Sequence, residues 1–342
     1  MPTTDPHPRR RRSRARRTEA GGAARALLVG LAVLAVVAAA GVMVIFGVGP
    51  LPDPEGCTVE VGEVEAELSP EQAENAAIIA AVGVRRGLPA RAVSIALATA
   101  YQESKIRNLD HGDRDSLGLF QQRPSMGWGT PEQLQDPHYA TNAFYDALEK
   151  VDDYRSMRIT EAAQAVQRSG FPEAYEDHAE DARALASALT GYSAGGRFSC
   201  VVDGKDDLRR QRPGDNGLTP RADRVRADLE KAFGELSLGG YAPEGVRDGH
   251  KNGSAHYDGR AVDVFVRPVN QANNRKGWAM AQYLAAHADR LHVQHVIFDG
   301  RIWSAGPRSR QGWRDYDPPD RPGDRAVLEH RDHVHVDVHE GE

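Results

Sequence analysis

Cysteine is nearly absent: 342 residues hold only Cys57 and Cys200. A disulfide-dense scaffold and a cysteine-built zinc site are thereby excluded. No internal repeat is visible, which removes solenoids and propellers. A strong overall charge is missing too; the net value is −6. It is unevenly spread. The first 25 residues carry eight arginines against Asp5 and Glu19, a local +6, which leaves −12 for the rest.

One long charge-free apolar run is present, residues 26–48, enough to cross a bilayer as a helix. Arginines on its N-terminal side alone place residues 1–25 in the cytoplasm and the chain after Pro50 outside. A cleaved signal with Ala38-Ala39-Ala40 at the processing site is the rival reading. The basic tail could also contact nucleic acid, but its position before the apolar run favours a topogenic role, and no nucleic-acid partner is expected. Outside the cytoplasm Cys57 and Cys200 can oxidise, and a bridge between them would staple the ends of the middle segment. Two separate buried thiols are the alternative.

Residues 49–68 form a Pro-rich linker followed by an alternating stretch, Thr58–Glu67, that fits a short hairpin. Ser69-Pro70 then caps a helix. Helices are expected near 70–86, 89–104, 131–150, 160–168 and 173–190, so 69–191 reads as an all-α domain. Residues 192–219 turn to Gly, Asp, Arg and Pro, the composition of a linker. The remainder, 220–342, opens with a charged helix near 220–233. It then alternates strand and helix: strands near 261–266 and 292–298, a helix near 276–290, and a terminal strand. The expected class is a small α+β domain.

The chemistry concentrates in that last segment. Ala261-Val-Asp-Val-Phe-Val266 alternates, with the valines on one face and Asp263 on the other. His333-Val-His-Val-Asp-Val338 does the same, exposing His333, His335 and Asp337 together. Two adjacent strands with apolar backs would hold Asp263 and His335 on one wall, and His256 can complete the set. Two imidazoles, one carboxylate and a water suit a tetrahedral catalytic zinc. Arg260 could meet a substrate carboxylate, or be an ordinary surface charge. His287, His292 and His295 read as surface residues of a helix or strand.

In the middle segment, Ile95-Ala-Leu-Ala-Thr-Ala-Tyr-Gln-Glu-Ser104 is a largely apolar helix ending in Glu103-Ser104. Partly apolar surroundings would raise the carboxyl's pKa and keep it ready to donate a proton; a surface residue at a helix end is the alternative. Glu103-Ser104 followed by Gly118-Leu119-Phe120-Gln121 resembles the lysozyme-like fold of lytic transglycosylases and goose-type lysozymes. The resemblance spans roughly 70–190. It implies that Glu103 is the catalytic acid, that Ser104 positions it, and that Gln121 contacts sugar. The Ala-Tyr-Asn element of that family has only Ala165-Val166-Gln167 as a stand-in. No second carboxylate is obvious, although Asp113 and Asp115 could activate water in an inverting hydrolase.

Ser254, His256, Gly259, Ala261 and Asp263 form a pattern that resembles the D-alanyl-D-alanine carboxypeptidase and LAS metallopeptidase group, which cuts peptidoglycan stem peptides. The resemblance implies zinc ligands at His256, Asp263 and His335, with His333 handling a proton or stabilising the transition state. Where that group has a general-base Glu, this chain has Asp332, one methylene shorter; Glu329 is the fallback. The ending Asp332-His-Val-His-Val336, with Arg301-Ile-Trp-Ser304 before it, is also similar to a domain type of secreted actinobacterial proteins.

Together these features lead us to expect a multidomain chain. It has an N-terminal transmembrane helix, an all-α lysozyme-like domain and a C-terminal α+β metallopeptidase-like domain. The expected protein is anchored in a bacterial membrane through 26–48 and remodels peptidoglycan outside it. One module would cleave glycan strands and the other, zinc-dependent, stem peptides; two modules on one tether raise each other's local concentration for the same polymer. The rival expectation is a wall-binding scaffold with the same clefts and no catalysis.

Overall fold

The computed structural model describes residues 55–193, 195–204 and 208–342. The expected membrane span at 26–48 lies outside the described residues. Strands β1 (Gly56–Val61) and β2 (Val64–Leu68) form the hairpin that the alternation of 58–67 encodes. Helix α1 (Pro70–Arg85) starts at a full capping box: Ser69 Oγ accepts from the Gln72 amide while Gln72 Oε1 accepts from the Ser69 amide. Helix α2 (Ala90–Ser104) is buried along most of its length and stops where Lys105 and Ile106 both turn left-handed. Helices α3 (Pro137–Leu148), α4 (Ile159–Gln167) and α5 (Ala179–Leu189) complete the helical part of this half. The expected helix over 131–150 is interrupted, because Asp136-Pro137 caps a fresh start after the single turn Pro131–Leu134.

The expectation of an all-α middle domain does not hold. Strand β3 (Phe198–Val201), inside the stretch read as a linker, returns to β1, so the helices carry a three-stranded sheet ordered β2-β1-β3. Cys57 and Cys200 face each other across β1 and β3 and are disulfide-bonded. Two indoles fasten the same sheet to the second half of the chain: Trp303 Nε1 donates to the Cys200 carbonyl at 3.1 Å and Trp313 Nε1 to the Phe198 carbonyl at 3.0 Å. Among the described residues no helix is long and apolar enough to cross a membrane. For the described residues, the expected all-α domain followed by a separate α+β domain is therefore replaced by one mixed helix-and-sheet body, and the expected transmembrane helix has no counterpart among them. Local composition is helix-rich over 69–191, but the partners of its flanking strand lie more than a hundred residues apart, and periodicity cannot report such pairing.

The second half holds α6 (Pro220–Phe233), β4 (Leu238–Gly239), β5 (Ala261–Phe265), α7 (Gln271–Ala286), β6 (Val293–Phe298), β7 (Arg301–Ser304), β8 (Arg314–Asp315) and β9 (His333–Val338). The strands make an antiparallel sheet ordered β4-β5-β9-β6-β7-β8. Val262, Val264, Val334, Val336 and Val338 are buried, and helices α6 and α7 pack on these strands. Helix α1 of the first half packs against α7 and α6, so one apolar core runs through both halves, and residues 54–342 form one compact unit.

Candidate metal centre

The register of β5 on β9 sets Asp263 directly opposite His335 and Phe265 opposite His333. With the valines turned to the helices, the polar side chains of both strands face a cavity of about 530 Å³. His256 reaches the same wall from a single helical turn, Ala255–Asp258. Three atoms converge there. His256 Nε2 lies 3.0 Å from His335 Nδ1 and 3.3 Å from Asp263 Oδ1, and the last two are 3.1 Å apart. All three side chains are buried.

Outer partners decide which ring nitrogens carry protons. His256 Nδ1 lies 2.7 Å from the Gly240 carbonyl, which can only accept, so Nδ1 holds the proton and Nε2 presents a lone pair. His335 Nε2 lies 3.3 Å from Asp337 Oδ2, and Asp337 is held in turn by His295 Nδ1 at 3.0 Å. That leaves His335 Nδ1 for the shared centre. Metal-ligating histidines are oriented by such carboxylate and carbonyl partners. A tetrahedral zinc with bonds of 2.0–2.1 Å sets its ligand atoms about 3.3 Å apart, and the observed triangle of 3.0–3.3 Å fits that requirement.

The local field favours a cation. Burial would lower the His335 pKa, but hydrogen bonds and charge from Asp263 and Asp337 outweigh it and lift it to about 9. Burial would raise Asp263, yet His256 and His335 hold its carboxyl well below the ordinary range. Carboxylates that hold a proton on His335 this firmly would also favour a divalent ion. Space is matched as well. Gly240 has φ +78°, and a Cβ there would stand 2.4 Å from His256 Cε1 and 2.9 Å from Asp263 Oδ2. Only glycine lets the backbone come this close to the His256 and Asp263 side chains.

His250, which periodicity gave no reason to select, also belongs to the site. With His256 and Asp263 it makes a wider group whose ligand atoms all lie within 4.8 Å of one another. Its ring is stacked on His256 at 4.0 Å and 25°. Nearly parallel stacked rings cannot both aim a lone pair at one ion, so the tighter His256–Asp263–His335 set is the better primary site.

Asp332 does not act as a free carboxylate. One oxygen lies 2.7 Å from His333 Nδ1 and the other accepts from Arg267 Nε at 2.7 Å. It therefore orients His333, whose Nε2 points toward the centre, 3.8 Å from Asp263 Oδ1. Glu329 is held by Arg325 and Arg331. Arg260 lines the cavity, but Nη1 donates to the Val338 carbonyl at 2.8 Å, so much of its donor capacity is taken up by the sheet. His287 is fully buried and stacked on Tyr283, not at the surface, and His295 lines the cavity beside Asp337.

The other expected site is far simpler. Glu103 is half-buried and accepts from the Tyr175 hydroxyl at 2.7 Å. Ser104 Oγ donates to the Leu119 carbonyl at 2.7 Å, tying the helix end to the 116–122 loop. Gln121 Nε2 sits 3.3 Å from the carbonyls of His111 and Gly118, inside its own loop. Gln167, in the stand-in element, donates to the Phe120 carbonyl at 2.7 Å. Asp115 is engaged by Ser125 and Arg123 and held below the usual carboxylate range, and Asp113 is exposed.

Among known families, a model described as VldE, C-terminal domain, is similar to residues 214–326, a third of the chain. The matched stretch includes His250, His256 and Asp263 and ends before His333 and His335. No curated protein matches.

Proposed function

We propose that the second half of this chain is a zinc-dependent peptidase acting on peptidoglycan stem peptides. The observation that carries the reading is the triangle of His256 Nε2, Asp263 Oδ1 and His335 Nδ1, with edges of 3.0–3.3 Å and both imidazoles fixed from outside. These three residues would hold the ion. Bound there, zinc supplies Lewis acidity and activates water at neutral pH. The protein's own part is proton handling and orientation. With the Nδ1 proton committed to Asp332, His333 keeps a lone pair on Nε2 and can take up a proton from the attacking water and pass it to the leaving amine. Asp332 and Arg267 fix that ring. The cavity wall includes Lys251, Arg267, Arg308 and Arg321 as well as Asp263 and Asp337, a cation excess that suits a peptide ending in a free carboxylate.

The same reading gives Glu103 the role of a proton donor toward glycan strands, with Tyr175 holding its carboxyl. Mass spectrometry of peptidoglycan digested by residues 54–342 tests both parts. Loss of a terminal alanine or of cross-links that a chelator blocks supports the peptidase. Unchanged muropeptides with zinc supplied would leave the binding-scaffold alternative in its place.

A further inference from the structure

The three-ligand centre explains His256, Asp263 and His335 but not His250, whose ring is stacked on that of His256. His250 sits between Gly249 and Gly253, both at positive φ, and a Cβ on either would meet nothing within 4 Å. The segment 249–253 is thus largely exposed and open to backbone rotation. His250 itself is not loose. Its amide donates to the Tyr257 hydroxyl at 3.1 Å, and that hydroxyl donates back to the His250 carbonyl at 2.8 Å. Arg321 Nη2 donates to the neighbouring Gly249 carbonyl at 3.0 Å. The backbone is pinned at one point while glycines flank it, which makes a pivot.

We propose that His250 is a displaceable fourth ligand of the metal centre, swung toward and away from the ion by the 249–253 segment. The distances permit it. Its ligand atom is already within 4.8 Å of those of His256 and Asp263. A tetrahedral edge is about 3.3 Å, so bringing its ligand atom to that distance from those of His256 and Asp263 takes a shift on the order of 1.5 Å, with a tilt of the ring off His256. His250 drawn in toward His256 and Asp263 would cover the point they share, and His250 stacked on His256, as the structure has it, would leave that point open to the cavity. The 249–253 segment would thus regulate access to the centre. The inference rests on the zinc reading above.

The test uses the chain over residues 54–342 loaded with cobalt(II), whose visible absorption reports coordination, and azide as a small anionic probe. Wild type, His250→Ala, His250→Asn and Asn252→Ala are compared. The expected result is a wild-type spectrum that azide changes little, and His250→Ala and His250→Asn spectra that azide changes strongly. Zinc affinity in the two His250 variants should be weaker by about tenfold, the scale on which loss of one supporting residue acts at a metal site. Asn252→Ala, an exposed position of the same segment outside the cavity wall, should match wild type. If wild type and both His250 variants share one spectrum, one azide response and one zinc affinity, the fourth-ligand proposal is overturned while the three-ligand centre stands. If wild type gives no cobalt bands at all, the zinc reading falls and this inference with it.

Discussion

Gly240 offers the sharpest perturbation of the centre, because a matched control exists in the same segment. Gly240 and Gly245 share a φ of +78°. Alanine at either position carries the same backbone penalty, about 1–2 kcal/mol for a left-handed residue with a Cβ. Only at 240 does the new methyl meet the site: it would stand 2.4 Å from His256 Cε1, 2.6 Å from His256 Nδ1 and 2.9 Å from Asp263 Oδ2. Ordinary carbon contacts begin at about 3.5 Å, so the imidazole must retreat by about 1 Å. Metal ligands tolerate displacements of roughly 0.2 Å. Zinc affinity of Gly240→Ala should therefore fall on the order of a hundredfold, about 2.7 kcal/mol. Gly245→Ala, with nothing within 4 Å of its Cβ, should bind zinc as wild type does. Competition against a chromophoric chelator measures both, with thermal unfolding of the metal-free proteins as the check on folding. Equal zinc affinities for the two variants would refute the claim that His256 and Asp263 share an ion beside Gly240.

Asp337→Asn should cost about 10–100-fold in zinc affinity, because it weakens the partner that fixes the His335 tautomer; an unchanged dissociation constant would remove Asp337 from the site. Acid should destabilise the fold. Burial, followed by the Arg290 charge, pushes His287 down to about 3, and burial followed by Lys231 pushes His138 down to about 4. The unfolded chain takes up these protons near pH 6.5 while the folded one refuses them. The stability is thus fully present above pH 6.5 and is lost as pH falls toward those values, by about 2 kcal/mol for each residue at pH 5. Urea midpoints at pH 7.5, 6 and 5 follow this loss, His287→Leu should flatten the slope, and a pH-independent midpoint would contradict it. Reducing Cys57–Cys200, which spans 143 residues of sequence, should lower stability by roughly 2–5 kcal/mol, read from midpoints with and without reductant. Glu103→Gln should abolish glycan cleavage with no change in circular dichroism, and undiminished muropeptide release would exclude Glu103 as the proton donor.

The parts of the centre that rest on period-two alternation were legible from the chain. Ala261–Phe265 and His333–Val338 each hide valines and present polar side chains, so Asp263 and His335 could be paired from the residue order alone. His256 was reachable because the Ser254–Asp263 pattern is local. What escaped has a shared cause. His250 lies in a Gly-rich loop with no period, Gly240 matters through a carbonyl, and His295 meets Asp337 only because β6 lies beside β9. Asp332 looked like a base from its spacing to His335, yet Arg267, sixty-five residues earlier, claims one of its oxygens. The fold failed at the same level. Helix caps such as Ser69-Pro70 are local and could be placed, whereas the pairing of Phe198–Val201 with Gly56–Val61 depends on contacts across the whole first half.

Metal content is the direct test of the centre. The chain over residues 54–342, stripped with chelator, dialysed against limiting zinc and analysed by inductively coupled plasma mass spectrometry, should retain one tight equivalent. His335→Ala, treated identically, should retain none. A wild-type protein that holds no zinc, or a His335→Ala variant that still holds one tight equivalent, would contradict the account.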